Sequence, residues 1–302
     1  MTANPAVLRV LYRGPLESCN FDCHYCPFGK VPLREDELSS DFAALDRFVT
    51  WALGASLRLG VFFTPWGEAL VHAPYQRALA RLSHADHIER VAIQTNLSAA
   101  VDWLFDSRAE RIAFWATWHP DYAPLDRFLR RVEHVRAAGA RLSVGVVAQR
   151  EHFQAIAAIH ERLPPDVYLW INANKRLEPA YSDEEVAFLT HVDPLFPWNR
   201  TPHQSLGQPC DAGRTAITVD GEGQVRRCHF VPDVIGHIDG DLGLGSRVCP
   251  KSACRCHIGY VHLPTLGLGS VYGRNVLERI PAAHWPGWTT LAERRGKALT
   301  VP

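Results

Sequence analysis

The stretch "AVLRVLYRGPLESCNFDCHYCPF" (residues 6–28) runs from a short apolar segment straight into a loop holding three cysteines. Residues 6–12 are rich in branched side chains and read as a β-strand. Cys19, Cys23 and Cys26 then fall within one short connection. A strand that delivers chemistry-bearing residues into the loop after it is the working unit of parallel α/β proteins, whose sites gather at strand carboxyl ends.

The same unit recurs outward from this stretch. Further strand candidates are "LRLGVFFT" (57–64), "IERVAIQT" (88–95), "ERIAFWAT" (110–117), "RLSVGVVA" (141–148) and "DVYLWINA" (166–173). Between and after them, residues 39–53, 75–82, 100–106, 125–138, 151–163 and 182–192 carry helical period. Strict alternation implies a parallel sheet with helical crossovers. Six units fall short of a complete eight-unit barrel, so the expected fold is α/β, a partial (β/α)6 TIM-type barrel over residues 1–190.

From 191 the texture changes. "DPLFPWNRTPHQSLGQP" (193–209) is a proline-bearing connector without clear period. "TAITVDGEGQVRRC" (215–228) reads as a β-hairpin around a glycine-bearing turn, and "CPKSACRCHIGY" (249–260) is rich in cysteine. Residues 191–262 are therefore expected to form a small cysteine-rich domain. The tail 263–302, with "GLGSVYGR" (267–274) and "HWPGWTT" (284–290), has no place in this scheme.

Composition narrows the function classes. With 47% hydrophobic and 21% charged residues and a mean hydropathy of -0.12, the chain reads as soluble and globular. Its 32 basic and 32 acidic residues cancel, leaving no electrostatic footprint for nucleic acid or an acidic membrane. No targeting or membrane-spanning pattern is visible, so a cytoplasmic location is expected. In that reducing compartment the eight cysteines point to metal ligation or thiol chemistry rather than disulfides.

Ligand-capable residues follow each strand. Gly67 and Glu68 come after the second, Thr95 and Asn96 close the third, Thr117 and His119 lie at the fourth, and Asn172, Asn174 and Lys175 end the sixth. Singly these have ordinary readings: a Gly-Glu pair is a turn, Thr-Asn a helix cap, and a histidine before proline a loop hydrogen bonder. Jointly they converge on one rim. Thiolates are soft ligands that select zinc, copper or iron–sulfur clusters. Structural zinc wants four ligands, and here His24 is the one candidate fourth in the loop. A cubane held by Cys19, Cys23 and Cys26 alone would instead leave one iron open.

The CxxxCxxC spacing in the first loop of a β/α chain resembles the radical S-adenosylmethionine (SAM) superfamily. The resemblance covers residues 6 to about 175. It implies that Cys19, Cys23 and Cys26 hold a [4Fe-4S] cluster whose open iron binds the amino and carboxylate groups of SAM. Tyr25 then matches the aromatic residue near the adenine, and Gly67 and Glu68 match a "GGE" motif that receives the methionyl ammonium. Trp66 stands for the first glycine of that motif and Ala69 for a proline that often follows. Thr95, Asn96, Thr117 and His119 fall where relatives contact SAM.

Further on, Cys210, Gly223 and Cys228 have the spacing C-x12-G-x4-C, which resembles the opening of SPASM and twitch extensions. That implies a second, auxiliary [4Fe-4S] cluster completed from Cys249, Cys254 and Cys256, with one of the three spare and Cys254 and Cys256 the preferred pair. Four-thiolate zinc, with His257 as a further donor, is the alternative. The implied activity is reductive cleavage of SAM to a 5′-deoxyadenosyl radical and hydrogen abstraction from a peptide or small natural-product substrate, an oxidative modification. A flavodoxin- or ferredoxin-type donor would supply the electron. The chain begins almost at its first strand, so a peptide substrate is expected to need a separate recognition partner or to bind directly. A radical epimerase or rearrangement enzyme, and a metal-binding scaffold or redox sensor without SAM chemistry, are the competing readings.

Overall fold

The computed structural model describes residues 7–28, 31–287 and 301–302. Ala6 at the start of the first strand candidate and the end of the "HWPGWTT" segment beyond Gly287 lie outside the described residues. Six parallel strands form in order: β1 (Leu8–Arg13), β2 (Leu59–Phe63), β3 (Ile88–Thr95), β4 (Ile112–Trp118), β5 (Arg141–Ala148) and β6 (Tyr168–Ala173). The helices are α1 (Glu35–Gly54), α2 (Ala73–Ser83), α3 (Leu125–Ala137), α4 (Phe153–Arg162) and α5 (Asp183–Val192). Residues 102–106, read from sequence as a helix between β3 and β4, form a single 3-10 turn. That segment is too short to propagate an α-helix after a costly first turn.

Alternate residues of each strand face opposite sides. Val10, Tyr12, Val61, Phe63, Val91, Ile93, Ile112 and Phe114 pack with the apolar faces of the helices into the main core. Leu11, Phe62, Ala92, Ala113, Trp115, Tyr168 and Trp170 point to the concave side, where a second core forms. Gly145 on β5 is required there: a β-carbon would sit 2.2 Å from the Trp170 ring.

The chain after 193 is built onto this barrel. A short helix, α6 (Phe196–Arg200), and two-residue strands β7 (His203–Gln204) and β8 (Pro209–Cys210) occupy the connector that has no period in sequence. Its task is to cover the open edge of the sheet. Asp193 accepts from Tyr168 Oη at 2.6 Å, Ile171 N at 2.8 Å and Leu195 N at 2.9 Å, and Asn199 Oδ1 accepts from Ala173 N at 2.6 Å. Side-chain acceptors thus satisfy β6 amides that would otherwise be an unpaired edge.

The hairpin is β9 (Ala216–Asp220) and β10 (Gln224–Arg226), and it belongs to the barrel's own sheet: β9 pairs parallel with β1, Leu11 opposite Thr218. A strand with no sequence signal, β11 (Val234–His237), adds to β10. Among the described residues this gives one open nine-stranded sheet in the order β11-β10-β9-β1-β2-β3-β4-β5-β6. The remaining strands, β12 (Arg247–Val248) and β13 (Ala253–Cys254), pair with β8 and β7.

The described part of the tail up to Leu277, together with the end of the cysteine-rich segment, fills the concave side: α7 (His257–Tyr260), α8 (Leu268–Tyr272) and the segment to Leu277 pack in the second core with Trp115 and Trp170. At the amino ends of the strands, buried Glu278 pairs with Arg90 at 2.9 Å and Arg141 at 3.3 Å. Above it, buried Arg279 lies 4.3 Å from the Trp170 ring centre and 5.2 Å from Trp115. Burial works against the Arg279 charge, and Tyr272, Tyr260, Asp193 and Tyr168 around it outweigh that cost. Among the described residues no helix is long and apolar enough to cross a membrane.

Candidate active site at the carboxyl rim

With the tail filling the lower layers, the concave side is open only at the carboxyl ends of the strands. The inward residues there, Arg13, Gln94, Thr117, Val147 and Asn172, are half-exposed, whereas Leu11, Phe62, Trp115 and Trp170 below them are buried. Lys175, just past β6, reaches across to donate to the Arg255 carbonyl.

The cysteine loop lies on this rim. Cys26 N donates to Cys23 O at 3.0 Å, closing a tight turn, and Phe21 N donates to Cys19 Sγ at 3.4 Å. Cys23 is buried and Cys19 and Cys26 half-buried. The loop after β2 grips the chain just before them: Glu68 N donates to Ser18 O at 3.0 Å. This contact demands glycine at 67, since a β-carbon there would stand 1.7 Å from the Ser18 oxygen. The loop after β4 grips the other side, where Phe21 stacks on Tyr122 at 5.1 Å and the Tyr122 hydroxyl donates to Asp22 O.

Glu68 ties the loops to one another. Thr95 Oγ1 donates to its Oε1 at 2.8 Å, Leu70 N to the same oxygen at 3.1 Å, and Asn96 N to Oε2. Burial pushes the Glu68 carboxyl up to about 7 even though these three donors favour the carboxylate. Asn96 continues the chain of contacts by donating from Nδ2 to Asn20 Oδ1 at 2.9 Å, next to Cys19. Gly67, Glu68, Thr95 and Asn96, separate strand-end residues in sequence, therefore form one connected support for the cysteine loop.

His119 and Tyr25 also meet. His119 Nδ1 is 2.8 Å from Tyr25 Oη and 3.3 Å from Cys23 Sγ. Burial, with His152 nearby, pushes the His119 imidazole down to about 4, so the ring is neutral at neutral pH. Tyr25 also packs edge-on to His152, which pairs with Asp121 at 3.0 Å. Thr117 stands on the concave face one turn of the pleat above Trp115. His24, the candidate fourth ligand for zinc, is exposed and pairs with Glu151 at 3.4 Å. The donor set presented by the loop is thus three soft thiols, which fits an iron–sulfur cluster with one iron left open better than a closed four-ligand ion.

The second cysteine group is tied to the ends of β1 and β2. His229, next to Cys228, hydrogen-bonds Thr64 Oγ1 at 3.0 Å, and Thr64 O accepts from Arg13 Nε at 2.6 Å. Arg13 lies 4.2 Å from the centre of the Trp66 ring. Cys249 N donates to Gln208 O at 2.9 Å, which sets it beside Cys210, and Cys254 comes in on β13. Burial pushes the Cys254 thiol up to about 12, and Cys228, Cys256, Cys249 and Cys210 reinforce this, so these sulfurs share one neighbourhood. Buried Arg227 hydrogen-bonds Cys210 and donates to the carbonyls of Val248 and Arg247. Cys256 is exposed and lies in the field of Arg13 and Lys175, on the barrel side. His257 is buried among Trp115, Tyr260 and Tyr272. Among the described residues no three or more His, Cys, Asp or Glu side chains converge as a single metal ion would need.

Sequence reasoning missed Arg13, Asn20, Tyr122, Arg227 and His229. Each lies one to six residues from a motif residue and carries no pattern of its own. Only Arg13, as the last residue of β1, stood where a strand-end rule could have found it.

No family model matches the sequence, and no curated protein matches it. Solved structures do. Streptococcus suis SuiB bound to S-adenosylmethionine aligns with a TM-score of 0.51 at 12% identity, covering 78% of this chain and 64% of that one. The anSMEcpe protein with bound AdoMet aligns with a TM-score of 0.52 at 13% identity, covering 78% and 79%. The same protein with AdoMet and a Cp18Cys peptide gives 0.50 at 14% identity, again covering 78% and 79%. The chain spans 64% of the length of SuiB. With seven parallel strands, β9 and β1 to β6, in one open sheet and these structural likenesses, the chain shares the partial β/α-barrel fold of these S-adenosylmethionine-bound proteins.

Proposed function

We propose that the protein is a radical SAM enzyme, and the observation that carries the proposal is the three-thiol loop held against Ser18 by Gly67 at the rim of this fold. Cys19, Cys23 and Cys26 would hold a [4Fe-4S] cluster, which would supply, after reduction by a flavodoxin- or ferredoxin-type donor, the electron for splitting SAM into methionine and a hydrogen-abstracting 5′-deoxyadenosyl radical. Everything else is the work of the chain. Gly67 gives the loop its approach, and Glu68 offers its carboxylate to the methionyl ammonium while Thr95 and Asn96 hold it in place. Tyr25, Thr117 and His119 line the side where the nucleoside lies. The half-exposed ring of Gln94, Thr117, Val147 and Asn172 is the mouth for substrate, and the tail beneath it keeps water from the lower barrel.

A second cluster completes the reading. Cys210, Cys228, Cys249 and Cys254 are its ligands, with Arg227 offsetting their charge. This pairs Cys249 with Cys254 in place of the Cys254 and Cys256 preferred from the sequence; the exposure of Cys256 on the barrel side supports the change. The substrate is a peptide or a small metabolite, oxidatively modified, in the cytoplasm. That anSMEcpe was solved with a peptide supports the first class.

Anaerobic reconstitution with iron and sulfide, reduction and addition of SAM should release 5′-deoxyadenosine and methionine even without substrate, as read by mass spectrometry. Cys23→Ala should abolish that release. A reduced, iron-loaded protein that leaves SAM intact overturns the proposal in favour of a metal-binding scaffold.

One observation favours a second reading, radical epimerisation. Cys256 is an exposed thiol near Arg13 and Lys175 at the mouth, placed to return a hydrogen atom to a substrate radical. Solvent deuterium in the product, lost in Cys256→Ala, would select it; a product oxidised by two electrons would exclude it.

A further inference from the structure

Behind the cysteine loop lies a cavity of about 210 Å³ lined by Phe21, Val71, Leu97, Tyr122, Arg127 and Arg131. Leu97 and Phe128 at its base belong to the main core between the sheet and the helices, so the cavity opens on the convex side of the barrel, away from the concave mouth. Its apolar floor reaches the surface: Val71 and Tyr122 are exposed, and Tyr122 stacks on Phe21 at 5.1 Å. Phe21 connects this floor to the cluster site, because its backbone N–H donates to Cys19 Sγ at 3.4 Å.

The charge on this face has one sign. Arg127 and Arg131, one turn apart on α3, stand beside the apolar floor, and among the described residues no hydrogen bond or ion pair holds either of them. The carboxylates of the same helix are engaged elsewhere, Asp126 with Arg162 and Glu133 with Arg136. Near the loop, Asp121 pairs with His152 and Glu151 with His24. An apolar centre flanked by unpaired cations is the anatomy of a surface that receives an acidic protein.

We propose that this face is where an acidic one-electron donor protein docks to reduce the cluster held by Cys19, Cys23 and Cys26. This rests on the radical SAM reading above, in which SAM and substrate fill the concave mouth, so that the electron must enter from another side. The convex wall of the cysteine loop is such a side, one hydrogen bond from the Cys19 sulfur. The donor loses one electron and the cluster gains it; no bond forms or breaks at the face. Arg127 and Arg131 steer the encounter, and Val71 with the Phe21–Tyr122 pair forms its dry centre.

The test uses the reconstituted full-length protein with two protein donors, reduced flavodoxin and a reduced [4Fe-4S] ferredoxin, and with dithionite, a chemical reductant that needs no docking. Calorimetry gives the affinity for each donor, and mass spectrometry the rate of substrate-free SAM cleavage with each reductant. The double variant Arg127→Glu, Arg131→Glu should bind the donor that drives the wild type about tenfold more weakly at low salt and be driven by it correspondingly more slowly, while its iron content and dithionite-driven cleavage stay at wild-type values. Raising the ionic strength to about 1 M should bring the wild type towards the variant. Arg200→Glu, exposed on α6 beside β6, should change neither reading; a loss as large as that of the double variant would make the effect one of net charge and refute the face. If the double variant fails to load iron, Arg127→Gln with Arg131→Gln decides, and unchanged donor binding there refutes the face. Wild-type affinity and rate with both donors in the double variant overturn the docking face while leaving the proposed function intact. The same holds for a wild type that dithionite drives and neither protein donor does, and for a face that draws an acidic peptide but leaves donor-driven cleavage unchanged in the variant. A wild type that cleaves no SAM even with dithionite overturns the proposed function and the docking face together.

Discussion

Gly67 is the tightest point of the candidate site, and a methyl group there would overlap the Ser18 carbonyl oxygen. Gly67→Ala must push the cysteine loop off the loop after β2, so it should lower the iron bound at Cys19, Cys23 and Cys26 at least as much as it lowers thermal stability; iron content and melting temperature measured together check this. Glu68 supports a prediction about pH. Its carboxyl titrates at about 7 in the protein, above the usual carboxylate value, because burial disfavours the charge. Only the ionised form attracts an ammonium group. SAM affinity should therefore be lost as pH falls through 7, being about tenfold weaker at pH 6 than at pH 8. Calorimetry on the anaerobic protein gives the ratio, and equal affinities would remove Glu68 from that role. Both residues were legible in sequence as a Gly-Glu pair after a strand. Their exact work was not, because it depends on Ser18 and on Thr95 and Asn96, which chain distance keeps apart.

The elements divide by how they are stabilised. Strands β1 to β6 and the helices between them announce themselves because each buries a regular apolar face, and periodicity is the imprint of that burial. The connector after Asp193 has no such imprint, since its work is done by acceptors on the edge of β6. Asp193→Ala would leave the Tyr168 hydroxyl and the Ile171 and Leu195 amides without an acceptor, at a cost of roughly 3 kcal/mol in urea unfolding. The hairpin β9–β10 was legible as a hairpin, but its place beside β1 was not, because an alternating strand pairs equally well with any free edge. That pairing brings Cys228 and His229 to the ends of β1 and β2. If the two cysteine groups hold separate clusters, Cys228→Ala should bind about half the wild-type iron and still cleave SAM. Loss of all iron would mean that the groups assemble as one unit.

At the scale of the whole molecule, the concave side of an open barrel must be covered, and the tail covers it. Glu278 anchors this arrangement between Arg90 and Arg141 at the closed end, and Arg279 lies against the tryptophans above. Glu278→Ala leaves two arginines facing one another over an apolar layer and should cost about 3 to 5 kcal/mol, measured by denaturant unfolding. Conservative Glu278→Asp should recover part of that. A cost near zero would mean that the tail is held by its aromatic residues alone.

What the amino-acid order determined by itself is the repeating β/α unit and the CxxxCxxC loop after the first strand, because both are written in local spacing. The path of residues 257–287 through the barrel, the hairpin joined to β1, and the contact of Cys23 with His119 and Tyr25 were decided only in three dimensions. A segment whose side chains pack against six different strands has no period of its own, since the spacing of its apolar residues follows the surface it fills rather than the geometry of a helix or strand.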